Sequence, residues 1–378
     1  MRIGIDVSPA VHQQAGVGRY TQELVKHLLK IDNENEYVLF YYYSGKDPRP
    51  FAEFPNVRLR PKCIPGRAIR LGFFALHKLH LNANFLIGDV DIFHSPDCVL
   101  PPLSFKSILT IHDLTFLLYP QYYTWLNRTH LNTMTPLSAK KALKITADSK
   151  NTKRDAINLL KVPSSKVETV YPGIDERFKP AKDKKLRAFK LKYQLPDKYI
   201  LFVGTLEPRK NVITLIDAFY KLKESESFKY KLVITGRKGW LYKNIFREIH
   251  KLNMSNKVKF TDFIPDEELP TLYSGGDLFV YPSLYEGFGL PPLEAMACGT
   301  PVITSDTSSL PEVIGDAGIL INPEDTQELA NRMRKVLTDS ELRKELSRKG
   351  LERAKQFSWE KTARQTLDLY REVAEEKI

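Results

Sequence analysis

Cysteine, long apolar runs and clustered metal-type ligands are what this sequence has little of. Its 378 residues include three cysteines, Cys63, Cys98 and Cys298. An odd, scattered set builds no disulfide framework and no metal-ligand spacing, which suits a reducing compartment. No apolar run approaches the roughly 18–20 residues of a membrane span. Met1-Arg2-Ile3-Gly4-Ile5-Asp6-Val7 reads as a strand and carries none of the parts of a secretory signal, so a cytoplasmic location is expected. No RNP sequence, zinc-finger spacing or recognition-helix pattern points to nucleic acid, which is not expected as a partner. The D-x-D triplet Asp89-Val90-Asp91 precedes an apolar strand candidate, which puts it at the sheet edge away from a ligand site, and it reads as a solvated turn. With no His/Asp cluster at metal spacing, neither a metal nor a cofactor is expected.

What is present begins with length and charge. A chain this long, 42% hydrophobic and 27% charged, supports two domains with separate cores. The net charge of +12 is uneven: residues 1–180 hold 24 Lys and Arg against 16 Asp and Glu, and residues 51–150 hold 12 against 6. A basic first half suits an anionic surface, lipid or nucleic acid, or serves only to solvate. Within it, the basic and apolar stretch Arg67–Leu79 reads either as a helix lying on an anionic membrane or as a core helix with charged flanks.

Strand and helix signals alternate along the chain. Strand candidates are Ile3–Val7, Tyr37–Tyr43, Ile92–His94, Ser107–Ile111, Lys144–Ala147 and Val167–Val170, then Tyr199–Val203, Lys231–Thr235, Val258–Phe260, Leu278–Tyr281, Pro301–Thr304 and Gly318–Ile321. Helical patterns such as Val17–Ile31 and Val212–Glu224 fall between them. This alternation predicts parallel sheets covered by helices on both faces. The polar stretch Pro172–Lys190 splits it into two doubly wound α/β domains, residues 1–180 and 181–357. Ligands bind such domains outside the carboxyl ends of the strands, so a cleft between the domains is the expected site. An amphipathic helix closes the chain, with Ser358 as N-cap and Lys361 where a capping box needs Glu or Gln.

The most informative segment runs from Tyr285 to Pro301 and sets Glu286 and Glu294 eight positions apart. Between them, Gly287-Phe288-Gly289 lets backbone approach a ligand, and Leu290-Pro291-Pro292 starts a helix. The N–H groups around Phe288, Gly289 and Leu290 then form an anion site, most naturally for a phosphate. Carboxylates beside an anion site make sense if they grip hydroxyls, and a sugar nucleotide offers both. The plainer reading is a glycine-rich turn before an amphipathic helix, with Glu294 complementing the helix dipole. Three further strand ends carry polar groups: His112-Asp113, Gly204-Thr205-Leu206-Glu207-Pro208-Arg209-Lys210-Asn211, and Gly236-Arg237-Lys238-Gly239-Trp240. Arg209 and Lys210, placed at a helix start, oppose the dipole, and that conflict favours a job on a diphosphate. His112 reads equally as a strand-end cap and Asp113 as the cap of the next turn. The loop Ala15-Gly16-Val17-Gly18, followed by Arg19, Tyr20 and Thr21, falls one glycine short of a dinucleotide fingerprint but can still approach phosphates.

The string E-G-F-G-L-P-x-L-E-A-M-A-x-G-x-P-V-I resembles the signature of the retaining nucleotide-sugar glycosyltransferases of family 4, which have the GT-B fold. The resemblance covers nearly the whole chain and is strongest in residues 199–314. It implies two Rossmann-like domains facing a cleft, the final helix packed back on the first domain, and a crossing at Tyr171-Pro172-Gly173-Ile174-Asp175 that is either a hinge or a plain turn. It implies a catalytic set of His112, Arg209, Lys210 and Glu286. The donor would be bound by Gly16, Gly18, Thr205, Gly236, Arg237, Phe288, Gly289, Leu290 and Glu294. Glu286 would hold sugar hydroxyls, Glu294 the ribose, and His112 the sugar from the other domain. Ser283 would shape the loop, and Trp240 reads as packing rather than as a stacking platform. Thr205 stands where the family often has Arg, and whether Arg209 replaces it stays open.

The activity implied is transfer of a hexose from a nucleoside diphosphate sugar without an essential metal, the leaving phosphate acting as base. The T-L-E-P-R-K-N form of the basic motif looks like that of mannosyltransferases of bacterial surface polysaccharides. It favours GDP-mannose over a UDP sugar, with a glycan or lipid-linked acceptor and possible peripheral contact with an anionic membrane. A nucleotide-sugar epimerase or phosphorylase of the same fold, a non-catalytic scaffold and a nucleic-acid binder are the competing readings.

Overall fold

A computed structural model of the chain describes residues 1–12, 16–222 and 228–376. Two compact units emerge, Met1–Gly173 with Ser358–Ile378, and Ile174–Phe357. The first division falls at Gly173, ahead of the boundary at 180 drawn from the polar stretch.

Unit 1 is built on a parallel sheet of β1 (Arg2–Asp6), β2 (Glu36–Tyr43), β3 (Val57–Cys63), β4 (Ile92–Ser95), β5 (Lys106–Ile111), β6 (Lys144–Ala147) and β7 (Val167–Thr169), in spatial order β3-β2-β1-β4-β5-β6-β7. The winding direction reverses between β1 and β4, which pair with Ile3 opposite Ile92 and Ile5 opposite His94. Both faces are covered, so the strands read as nearly unbroken apolar runs. Period two divides β2 between two cores. Tyr37, Leu39 and Tyr41 join Ile3, Ile5, Leu24 and Leu28 on one face, while Val38 and Phe40 join Phe93, Leu109 and Ile111 on the other. Strand β3 was not among the sequence candidates. Its Val-Arg-Leu-Arg-Pro-Lys-Cys pattern is half exposed and contains Pro61, features suited to the sheet edge it occupies.

The helix Trp359–Glu375 belongs to unit 1, where Trp359, Leu367 and Tyr370 enter the core beside Leu24 and Leu28. The Ser358 hydroxyl caps it, accepting from the Lys361 N–H at 3.2 Å. Tyr370 OH and Thr110 Oγ1 hold the two ring nitrogens of buried His94 at 2.7 and 2.8 Å. Burial drops that imidazole to a pKa of about 3, so it stays neutral. Residues 377 and 378 of the expected closing helix lie outside the described residues, as do 223 and 224 of the expected helix Val212–Glu224, which is observed as Val212–Leu222. The stretch Arg67–Leu79 forms the helix Gly66–Lys78, but not a core helix: only Ile69 and Phe73 are buried.

Unit 2 holds β8 (Tyr199–Val203), β9 (Lys231–Thr235), β10 (Val258–Phe260), β11 (Leu278–Tyr281), β12 (Val302–Ser305) and β13 (Ile319–Ile321), all parallel, in order β10-β9-β8-β11-β12-β13. Its reversal lies between β8 and β11, and the loops leaving the carboxyl ends of those strands are where ligands bind in this topology. One of its tightest backbone approaches lies beside β8. Gly236, at φ +149°, follows β9 so closely that an added Cβ would sit 1.9 Å from the Gly204 carbonyl oxygen.

Gly236→Ala is therefore expected to cost about 3 kcal/mol or more and to lower the thermal midpoint by several degrees. Gly72→Ala is the control, since an added Cβ there meets nothing within 4 Å. In an exposed helix it should stabilise by roughly 0.5–1 kcal/mol. Calorimetry of the two variants checks both signs.

Candidate functional site

In unit 2 the predicted cations and glutamate converge. Strand β8 ends at Val203, and the chain passes through Gly204 and exposed Thr205 into a tight turn at Pro208–Lys210. Asn211, at φ +54°, then separates this turn from the helix Val212–Leu222. Arg209 and Lys210 thus stand before the helix rather than in its first turn. The conflict with the dipole argued from the sequence is not what holds them; carboxylates do. Lys210 Nζ lies 2.6 Å from Glu286 Oε1 and 2.6 Å from Tyr281 OH. Arg209 lies 3.1 Å from Glu286 Oε2 and 2.6 Å from Glu207 Oε1, and donates to the Tyr285 carbonyl at 2.7 Å. Ser283 donates to Glu286 Oε1 at 2.6 Å.

Lys210, Glu207 and Glu286 are each less than a tenth exposed. Burial alone would raise the Glu286 carboxyl. Lys210 and Arg209, with hydrogen bonds from Lys210 and Ser283, outweigh burial and hold its pKa at about 2. The glutamate is a carboxylate throughout the physiological range, and it orients both cations.

The loop after Glu286 is pinned from outside. Ser308 Oγ accepts from the Glu286 N–H at 2.9 Å, and Ser309 Oγ donates toward the carbonyls of Glu286 and Phe288 at 2.9 and 2.6 Å. Phe288 is buried, with its ring edge-on to Phe357, so its contribution to a ligand falls to its backbone. The helix Leu290–Ala297 begins at Gly289, whose φ of +117° is open to glycine and strained for other residues. Pro291 and Pro292 carry no N–H, so anion binding at this helix start falls to the donors at and before Leu290. Glu294 sits one turn in, 4% exposed, and accepts from Tyr273 OH at 2.8 Å. The Arg237 guanidinium lies 4.8 Å over the Phe263 ring. Trp240 is 41% exposed, so it does not serve as core packing.

In unit 1, His112 follows β5 directly. One ring nitrogen, Nδ1, is 2.7 Å from Asp148 Oδ2, and the other, Nε2, is 3.1 Å from the Pro96 carbonyl oxygen. Both partners only accept, so both nitrogens donate and the ring is an imidazolium. Burial opposes the charge; Asp148, together with Asp97, overcomes it and raises the pKa to about 9. Tyr20 stands edge-on to the ring at 4.7 Å. Asp113 caps the next turn through the Thr115 N–H at 2.9 Å. Gly16, at φ +55°, opens the helix Val17–Ile31, and Gly18 is buried inside it; Ala15 lies outside the described residues. Asp91 accepts from the Arg2 N–H at 2.7 Å, at the edge where β1 and β4 begin.

Glu207, Tyr281, Ser308, Ser309 and Asp148 are the partners that sequence reasoning missed. Glu207 and Asp148 had a signal: each is an acid just past a strand end, near in space to a cation already singled out.

Two parallel sheets, each with a reversal point, define a protein of the doubly wound α/β class, with a cation–carboxylate cluster beside a glycine-rich helix start in the second. Residues 183–353 match the family described as glycosyl transferases group 1, and residues 15–178 match glycosyltransferase family 4. The O-antigen chain mannosyltransferase B of Escherichia coli is 32% identical, over 98% of this chain and all of its own length. A serotype-specific mannosyltransferase, WbdA, also of Escherichia coli, is 34% identical over 96% of this chain, which spans 46% of that protein. In fold, sucrose-phosphate synthase from Thermosynechococcus elongatus superposes with a TM-score of 0.77 at 22% identity, covering 99% of both chains. WaaG, a glycosyltransferase involved in lipopolysaccharide biosynthesis, gives 0.74 at 18% identity, covering 98% of this chain and 99% of its own. The chain belongs to glycosyltransferase family 4. It is a hexosyltransferase of the GT-B fold.

His112 is expected to titrate near pH 9 in an NMR experiment on the imidazole signals. Asp148→Asn should lower it, because only Asp97 and the Pro96 carbonyl then remain to oppose burial. A raised folded-state pKa adds stability that is fully present below about 6.5 and is lost as pH rises through about 9. For Glu286 the sign is reversed: its contribution is present above about 4.5 and is lost as pH falls toward 2.

Proposed function

We propose that this chain moves a mannosyl group from GDP-mannose to a glycan or lipid-linked glycan acceptor, with retention at the anomeric carbon. The observation that carries the proposal is the buried Lys210–Glu286–Arg209 cluster at the carboxyl ends of β8 and β11. It lies in a chain that aligns end to end with a protein named as a mannosyltransferase. The T-L-E-P-R-K-N form of the basic motif supports GDP over UDP.

In this reaction the charge that develops is on the departing diphosphate. Lys210 and Arg209, already oriented by Glu286 and Glu207, meet that charge with no reorganisation, and the backbone N–H groups at Phe288–Leu290 add dipoles. Glu286, a carboxylate at any working pH, accepts from sugar hydroxyls. Glu294 takes the ribose. His112 is assigned to the donor sugar as a fixed cation and not as a base, since both its nitrogens already carry protons. The acceptor hydroxyl gives its proton to the leaving phosphate. The protein's own cations take the role a metal would otherwise fill, so metal independence is part of the proposal. Among the described residues no helix is long and apolar enough to cross a membrane, and a lipid-linked acceptor would be met at the cytoplasmic membrane surface.

Glu286→Ala and Lys210→Ala are each expected to lower transfer by two orders of magnitude or more. Glu286→Gln keeps the side chain's shape and separates lost charge from lost fold. Near-wild-type transfer in both alanine variants would overturn the assignment. EDTA should leave the rate unchanged. GDP-mannose at a hundred times its dissociation constant should add about 2.7 kcal/mol of stability in a thermal-shift assay, and UDP-glucose less. A larger shift with UDP-glucose would reverse the choice of donor.

A further inference from the structure

Lys210 is held by two fixed acceptors, and one of them carries no charge. A lysine ammonium has three N–H donors. One reaches Glu286 Oε1 at 2.6 Å and another Tyr281 OH at 2.6 Å. Among the described residues no third hydrogen bond leaves Nζ. Two bonds fix what one cannot. An ammonium with a single acceptor turns about that bond, and its other N–H groups sweep a cone. A second acceptor stops the rotation and gives the third N–H one direction.

Tyr281 is well made for that second position. It ends β11 and is fully buried. Its ring stacks on Phe202 of β8 at 5.6 Å and on Phe279 of its own strand at 5.8 Å, with interplanar angles of 19° and 18°. Its carbonyl accepts from Thr304 Oγ1 of β12 at 2.7 Å. Three strands therefore fix where its oxygen lies. The Lys210 nitrogen is 5.1 Å from the ring centre and 2.6 Å from the hydroxyl, so the oxygen and not the ring face makes the contact. Burial, and the Glu286 charge after it, push the phenol well above its ordinary value, so it keeps its proton.

We propose that Tyr281 is a positioning residue for the transfer: its hydroxyl fixes the Lys210 ammonium so that the remaining N–H points at the departing diphosphate. The inference rests on the assignment of Lys210 to that diphosphate, and Tyr281 acts only through the lysine. An uncharged partner suits the task. A second carboxylate there would cancel the charge that the diphosphate meets, whereas a hydroxyl orients the cation and leaves its charge in place. The ammonium is faced by Arg209 and Glu207 from the turn after β8, and by Glu286 and Tyr281 from β11 and the loop beyond it. Burial and Arg209 lower its pKa, and the two glutamates oppose them.

The test compares the full chain with Tyr281→Phe, which keeps the ring and its stacks and removes one oxygen. The unfolding midpoint should stay near the parent's. The kcat of transfer is expected to fall about ten- to a hundredfold, the usual size for a hydrogen bond to a charged group, with donor KM changed by less than about threefold. Losing an acceptor also disfavours the ammonium, so the alkaline limb of the kcat profile should move to lower pH. In a Lys210→Ala background, Tyr281→Phe should lower transfer no further, because the lysine through which it acts is gone. One readout needs no substrate: followed by NMR, the Lys210 Nζ should titrate at lower pH in Tyr281→Phe than in the parent. A parent-like kcat, an equal loss in the Lys210→Ala background, or an unshifted Nζ titration would overturn the inference. If the parent transfers sugar from no nucleoside diphosphate donor, the proposed reaction fails instead, and the Nζ titration still decides whether the hydroxyl holds the ammonium.

Discussion

One carboxylate, taken out of water and set between two cations, organises unit 2. Placing Glu286 in the interior costs several kcal/mol of hydration, and attraction to a partner recovers this only if the geometry is good and the spare hydrogen bonds are met. Here they are met: Lys210 and Ser283 share one oxygen and Arg209 takes the other. Lys210 and Glu286 are 76 positions apart in the chain, so the pair exists only because β8 and β11 are neighbours. The reversal of strand order thus fixes the electrostatics of the site.

Unit 1 handles the same problem of buried charge in two opposite ways within one sheet. His94 lies within β4 and is fully buried, and His112 follows the neighbouring β5 and is nearly so. His94 meets hydroxyls, which can donate or accept, and burial keeps it neutral. His112 meets a carboxylate and a carbonyl, which only accept, and it keeps its charge. Partner chemistry, not depth, makes one a structural link to the Trp359–Glu375 helix and leaves the other a cation at neutral pH at a strand end.

Much of this was legible in the sequence, and the exceptions have physical causes. Buried parallel strands are apolar throughout, so Tyr199–Val203 and Leu278–Tyr281 stand out with their observed bounds. Val57–Cys63 does not, because an edge strand answers to one neighbour and to solvent. Glu286, Lys210 and Arg209 were legible one at a time from their motifs, but their ion pairs were not, since spacing along the chain says nothing of which strand lies beside which. The supposed conflict of Arg209 and Lys210 with a helix dipole failed for a local reason: a left-handed Asn211 holds them out of the helix. Arg67–Leu79 carried a composition more usual in a core helix, and only its exposure shows otherwise.

The chain leaves unit 1 at Gly173 and re-enters it at Ser358. Unit 2 is in effect an insertion between two parts of unit 1, and this sets an order of events during synthesis. Unit 2 has all its residues once Phe357 has emerged and can complete its core on the ribosome. Unit 1, begun first, must wait with part of one core open until Trp359, Leu367 and Tyr370 arrive. Domains generally fold as units from the N-terminal side; here the unit made first finishes last, and the wait is as long as the whole of unit 2. Loss of a few residues from the Trp359–Glu375 helix would therefore damage the unit that carries the first residues of the chain and leave unit 2 complete.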